Sequence, residues 1–97
     1  MSNLEFEWSK EKAKDNLLKH NVSFEEAMTV WSDEFAAYLH DPSHSIEEER
    51  YLMIGYSSND NLLYVSFTER DDKIRIISSR KATKSERKRH EENKEKY

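Results

Sequence analysis

Thr68-Glu69-Arg70-Asp71-Asp72-Lys73-Ile74-Arg75-Ile76-Ile77-Ser78-Ser79-Arg80-Lys81-Ala82-Thr83-Lys84-Ser85-Glu86-Arg87-Lys88-Arg89-His90 is the stretch whose reading decides the fold. The β-branched run Ile74-Arg75-Ile76-Ile77 predicts a strand, Ser78 to Lys81 form its cationic exit, and Thr83 with Glu86 opens a basic helix in capping-box spacing. A strand's ladder holds the backbone of its arginines, so ordering their side chains around a ligand costs less entropy than on a tail. Strand, cationic exit and basic helix in succession are one way to build a phosphate site.

Working outward, three strands are expected at about residues 50–56, 62–70 and 74–80, separated by the turn signals Ser57-Ser58-Asn59-Asp60-Asn61 and Asp71-Asp72-Lys73. Connections this short predict an antiparallel meander. A turn at Asp71-Asp72 sets Thr68 opposite Arg75, Ser66 opposite Ile77 and Tyr64 opposite Ser79. One face then carries Leu63, Val65, Phe67, Ile74 and Ile76 and is the expected core. Apart from Ile77, the other carries Tyr64, Ser66, Thr68, Arg70 and Arg75, a polar surface with an aromatic ring and two guanidiniums that suits an RNA strand. Strict alternation puts Arg80 and Glu69 on the apolar side, although Arg80, at the strand's end, can swing out.

Nearer the N-terminus, Leu4-Glu5-Phe6-Glu7-Trp8 alternates with period two and predicts a half-buried strand. Ser9 caps a helix with Ala13, Leu17 and Leu18 as its apolar stripe, Lys19 and His20 in its last turn and Asn21 as its stop. Ser23 and Glu26 form a second capping box, opening a short helix through Trp31 in which Ala27, Val30 and Trp31 share a face. Residues 35–39 read as strand or as continued helix; the bracketing aromatics and the Pro42 turn favour strand. The acidic segment 41–49 reads as loop, and the chain closes with a helix at about residues 83–95.

With 97 residues and 35% hydrophobic content, the chain is expected to form a single domain over 1–97 with a small, aromatic-rich core. No apolar run approaches bilayer length and Met1-Ser2-Asn3-Leu4 lacks the features of a signal peptide, so the expected location is the cytosol, away from membranes. The absence of cysteine excludes disulfides, zinc ribbons and thiol nucleophiles. A net charge of -4 conceals a division: five Lys/Arg face fourteen Asp/Glu in residues 1–69, and eleven face six in residues 70–97. The basic end calls for an acidic partner, nucleic acid or protein, unless the charges only solvate a small domain.

Phe6-Glu7-Trp8, Lys12-Ala13 with Asn16, Lys19-His20, Val22-Ser23-Phe24-Glu25-Glu26-Ala27, Glu48-Glu49-Arg50, Thr68-Glu69-Arg70, and Arg75-Ile76-Ile77-Ser78 with Arg80-Lys81-Ala82-Thr83 and Glu86-Arg87 run in order from about residue 5 to residue 90. Together they resemble the BrnT family of bacterial type II toxins, with departures that include Ser79 where alanine is usual. The resemblance implies a RelE-like α+β fold, with a four- to five-stranded, mainly antiparallel sheet, two N-terminal helices and a C-terminal basic helix. It also implies ribonuclease activity that inhibits translation, and neutralisation by a BrnA-like ribbon-helix-helix antitoxin. Further implications are a heterotetramer of two toxins and two antitoxins, and operator DNA bound indirectly through the antitoxin.

A metal-free ribonuclease of this kind, needing no cofactor, requires a base for the 2′-hydroxyl proton, cations for the charged phosphorane and an acid for the 5′-oxygen. Arg70, Arg75 and Arg80 suit the cationic role because a guanidinium grips two phosphate oxygens and keeps its proton. The competing reading is a surface arginine paired with a glutamate. Proton transfer falls to His20, Glu69 or Lys81. Lys19, Arg50, Tyr64, Thr68, Lys84 and Arg87 are the expected RNA contacts. An alternative of another class is a binding module without catalysis that docks its partner on the basic helix at residues 84–96.

The other chemistry-bearing residues read as structural. His40 and His44 have the spacing of a helical metal pair, but Pro42 argues against a helix and no third ligand is evident. His90 reads as part of a solvated helix surface, and Trp8, Trp31 and Phe24 as core. A single glycine, Gly55, excludes a glycine-rich phosphate loop.

Overall fold

A computed structural model describes residues 4–41 and 48–95 of the chain. Its elements are β1 (Phe6–Glu7), α1 (Lys10–His20), α2 (Phe24–Met28), a 3₁₀ turn (Thr29–Ser32), β2 (Ala37–Asp41), β3 (Arg50–Tyr56), β4 (Leu62–Arg70), β5 (Lys73–Lys81) and α3 (Lys84–Glu95). The strands form one sheet in the order β1-β5-β4-β3-β2. Strands β2 to β5 are a meander of antiparallel neighbours, whereas β1 lies parallel to β5, so the α+β fold has a mixed sheet.

Local chemistry places the helices. Ser9 accepts from the Lys12 N–H at 3.3 Å, and α1 ends at Asn21 in the left-handed conformation (φ 56°), whose N–H donates to the Leu17 carbonyl. Ser23 caps α2 by accepting from the Glu26 N–H at 3.0 Å. The strand anticipated at residues 35–39 begins only at Ala37, because Asp33 holds a turn: its Oδ1 accepts from the Phe35 N–H and its carbonyl from the Ala36 N–H. The other oxygen, Oδ2, accepts from the Tyr56 N–H at 2.8 Å and so ties this turn to β3. The approach there is close. A Cβ on Gly55 would meet Ala36 Cβ and Val30 Cγ1 at 2.9 Å, so only glycine fits.

One face of the sheet is packed by α1, α2 and the 3₁₀ turn. Leu63, Val65, Phe67, Ile74 and Ile76 are buried there, as expected, against Val22, Phe24, Ala27 and Val30. Edge-to-face rings extend this core, with Trp31 5.1 Å from Phe6 and 5.0 Å from Phe67, and Trp8 5.9 Å from Phe24. Of the apolar stripe expected on α1, Ala13 packs against the core, whereas Leu17 and Leu18 are exposed and the buried residue is Asn16. Its amide donates to the Ser79 and Val22 carbonyls at 2.8 and 2.9 Å and accepts from the Ser79 N–H at 2.9 Å. Strand β1 pairs only with Ile74 and Arg75, so farther along β5 the side-chain amide of Asn16 stands in for a missing strand.

The anticipated register holds at Thr68 opposite Arg75 and then breaks. Phe67 faces Ile76 while Ser66 faces Ser78, leaving Ile77 unmatched, so Tyr64 faces Arg80 and not Ser79. This bulge reverses the parity of the rest of β5. Ser79, not Arg80, points to the core side and is 1% exposed. The hairpin turns through Asp71 and Asp72, both at positive φ (52° and 64°), between the paired Arg70 and Lys73. Helix α3 rests against one end of the opposite face. His90, expected to be solvated, is buried there with its ring 6.0 Å from that of Tyr56. Within the acidic segment, residues 42–47, including Pro42 and His44, lie outside the described residues.

Candidate active site

The sheet face away from α1 and α2 carries the candidate chemistry. From the α3 end toward the Asp71–Asp72 turn, the facing pairs are Tyr64 with Arg80, Ser66 with Ser78, Thr68 with Arg75 and Arg70 with Lys73. Side chains directly opposite in an antiparallel pair share a face. Arg75 is five positions before Arg80, which plain alternation would set on opposite faces; the unmatched Ile77 brings both guanidiniums to the same one.

At the α3 end, Arg80 is committed. Its Nη1 and Nη2 donate to Glu86 Oε1 and Oε2 at 2.8 and 2.9 Å, and its Cζ lies 4.5 Å from the centre of the Tyr64 ring. Glu86 also completes the capping box, accepting from the Thr83 N–H at 2.8 Å while its own N–H donates to Thr83 Oγ1. The Arg80 fork, followed by the Thr83 N–H, holds the Glu86 carboxyl far below its ordinary range, at about 2. The bond to Glu86 in turn raises Arg80.

At the turn end the arginines are held loosely. Arg75 Nη1 stands 3.6 Å from Glu7 Oε2 and Arg70 Nη2 3.6 Å from Glu48 Oε2, while Arg50 Nε reaches Glu48 Oε1 at 3.3 Å. These partly solvated ion pairs contribute little to stability, roughly 0–1 kcal/mol each, and leave guanidinium donors free.

His20, in the last turn of α1, reaches the edge of this face. With Leu52, Tyr64, Ser66, Ser78 and Arg80 it lines a cavity of about 190 Å³. The Asn16 bridge to Ser79 couples the end of α1 to the segment of β5 that bears Arg80.

Several expected site residues lie elsewhere. Glu69 faces Ile74 and Lys81 faces Leu63, both on the helix-side parity, so the sheet separates them from the arginines. Thr68 is on the open face but 4% exposed, its hydroxyl donating to the Glu49 carbonyl at 2.6 Å, which makes it a tether for the 48–50 segment. Lys84 and Arg87 sit on exposed positions of α3, away from Glu86, Arg89, His90 and Asn93, which line the cavity beneath that helix. Lys19 is exposed beside His20. His40 is paired with Glu49. Glu7 and Glu48 are carboxylates on the arginine face that the sequence did not single out as site residues. The alternation of Phe6 and Trp8 did signal that Glu7 points away from the core.

One face of the sheet is packed by helices, and the other gathers arginines with a histidine at its edge. The fold is similar to the crystal structure of the Brucella abortus ribonuclease toxin BrnT, with a TM-score of 0.64 and 21% identity over 84% of this chain and 100% of that one. Residues 8–86 match the family of the ribonuclease toxin BrnT of type II toxin-antitoxin systems, and the chain belongs to that family. Membership makes it a ribonuclease toxin with an antitoxin partner. No curated protein matches the sequence. No described helix is long and apolar enough to cross a membrane.

Proposed function

We propose that the chain, as one toxin domain over residues 1–97, is a cytoplasmic, RelE-like endoribonuclease that cuts RNA without a metal and arrests translation until a BrnA-like antitoxin covers it. The observation that carries this reading is the open sheet face itself, where the β5 bulge brings Arg80 to the side already holding Arg75, Arg70, Arg50 and Lys73, with His20 at its rim. Arg75 and Arg70 bind the scissile phosphate, because their carboxylate contacts are long and single and a phosphate can outcompete them with bidentate geometry. His20 moves the proton, since imidazole accepts and donates near neutral pH. Arg80 positions: fixed by Glu86, it adds fixed positive charge beside His20. His20 takes the 2′-hydroxyl proton as the 2′-oxygen attacks phosphorus, the P–O5′ bond breaks, and the departing 5′-oxygen takes up a proton from water, leaving a 2′,3′-cyclic phosphate.

Induced expression with and without the neighbouring antitoxin gene, following growth and total RNA, tests the reading. Arrest with cleavage, relieved by the antitoxin and lost in Arg75→Ala and Arg70→Ala, is expected. Normal growth with intact RNA in cells that accumulate the folded protein would favour the binding module on α3. A two-toxin, two-antitoxin assembly predicts the mass of the purified complex.

A further inference from the structure

The cavity beside His20 has a chemistry that phosphate binding leaves unexplained. Ser66 and Ser78 face each other across β4 and β5 within it. Neither hydroxyl has a hydrogen-bond partner among the described residues, although every other hydroxyl-bearing side chain on this face, Tyr64 apart, is tied to the protein. Leu52, two positions from Arg50 on β3, supplies an apolar wall and is also opposite Ser66. The neighbouring cation, Arg80, has both terminal nitrogens on Glu86 and its carbon over Tyr64.

A phosphate would require the reverse: uncommitted cations and no apolar wall. A planar heterocycle fits what is present, because it needs apolar or π surface against its faces and neutral groups at its edge. Leu52 and the stacked Tyr64–Arg80 pair supply the surface. Two serine hydroxyls, each able to donate and to accept, supply the edge. A volume of about 190 Å³ admits one base turned out of its stack, and a duplex, whose bases are engaged with one another, cannot enter.

From these contacts we infer that the cavity takes a single unstacked nucleobase of single-stranded RNA and that Ser66 and Ser78 read its edge. The phosphate attached to that base then reaches the Thr68–Arg75 pair, one pleat repeat or about 7 Å farther along the strands. This rests on the ribonuclease reading for the identity of the ligand. It adds that cleavage is selective for a base, with Leu52, Ser66 and Ser78 as residues that set the selectivity.

The test uses the full chain, its backbone resonances assigned, titrated with four 2′-O-methyl hexanucleotides, each a homopolymer of one base; the methyl group blocks cleavage. Expected are shifts at Leu52, Ser66 and Ser78, and a loss of affinity of about 3–10-fold in Ser66→Ala or Ser78→Ala for one or two of the homopolymers and not the rest. Both substitutions remove solvent-facing hydroxyls and leave the fold intact. Unmoved Leu52, Ser66 and Ser78 resonances overturn the proposal, as does an equal loss, or none, for all four homopolymers. Unmodified hexanucleotides separate the two readings. Cleavage with no base preference removes the base site and keeps the ribonuclease; base-selective binding without cleavage keeps the site and removes the ribonuclease.

Discussion

The two ends of the open sheet face carry the same residue type in opposite condition. At one end Arg80 is gripped by both oxygens of Glu86, stacked on Tyr64 and built into the cap of α3. At the other, Arg75 and Arg70 each meet one carboxylate oxygen at 3.6 Å. An arginine whose donors are spent inside the fold contributes position and field, whereas one with spare donors is available to a ligand. Shared location is therefore a poor guide to role, and hydrogen-bond saturation is a better one.

The contrast is sharpest in activity. Arg75→Ala is expected to lower the cleavage rate about 100- to 1000-fold while changing unfolding free energy by no more than about 0.5 kcal/mol. Single-turnover cleavage beside urea denaturation reads both. A similar stability loss and rate loss would mean that Arg75 is a structural pair with Glu7.

Asn16→Ala attacks the frame that joins α1, with His20 at its end, to the segment of β5 that bears Arg80. It leaves the Ser79 N–H and two carbonyls without partners, a cost of about 3 kcal/mol, so the denaturation midpoint should drop steeply. An unchanged midpoint would show that water replaces the amide without loss.

Glu86→Gln should weaken the saturated end by about 1 kcal/mol at neutral pH, a modest figure because the pair is partly solvated. Since folding depresses the Glu86 carboxyl from an ordinary 4.5 to about 2, its contribution is full above 4.5 and disappears as pH falls toward 2. The gap in melting temperature between wild type and Glu86→Gln should close over that window. A gap independent of pH would refute the ion pair as its source.

The smallest effect runs the other way. Ser79 is buried, and its hydroxyl has no hydrogen-bond partner among the described residues. Ser79→Ala should stabilise the chain by about 1 kcal/mol without altering cleavage. Destabilisation would mean that the hydroxyl has a partner in solution.

Strands β3 and β4 were legible residue for residue, since each is a mostly apolar and aromatic run flanked by polar turn and loop segments. The core face of β4 and the first half of β5 followed from their alternation. Both N-terminal caps followed from serine spacing. Asn16 escaped because an amphipathic reading assigns burial to leucines, and a buried polar side chain with three backbone partners leaves no periodic trace. His90 escaped for the opposite reason, since its neighbours Arg87, Lys88, Arg89 and Glu91 make its surroundings in sequence look solvated while the helix turns it onto the sheet.

By itself, then, the sequence determined the elements, their order, the α+β class and the gathering of positive charge after residue 69, because hydrophobic period, capping spacing and turn chemistry act over a few residues. Tertiary structure alone decided which charged groups meet. The unmatched Ile77 lies in the pairing of β4 with β5, and it carries Arg80 to the side of Arg75. The same sheet leaves Glu69 and Lys81 on the far side and brings Glu7, His20 and Glu48 from distant segments to the arginines. A difference of one residue in register inverts the face of every side chain beyond it, and only pairing with another strand can set that register.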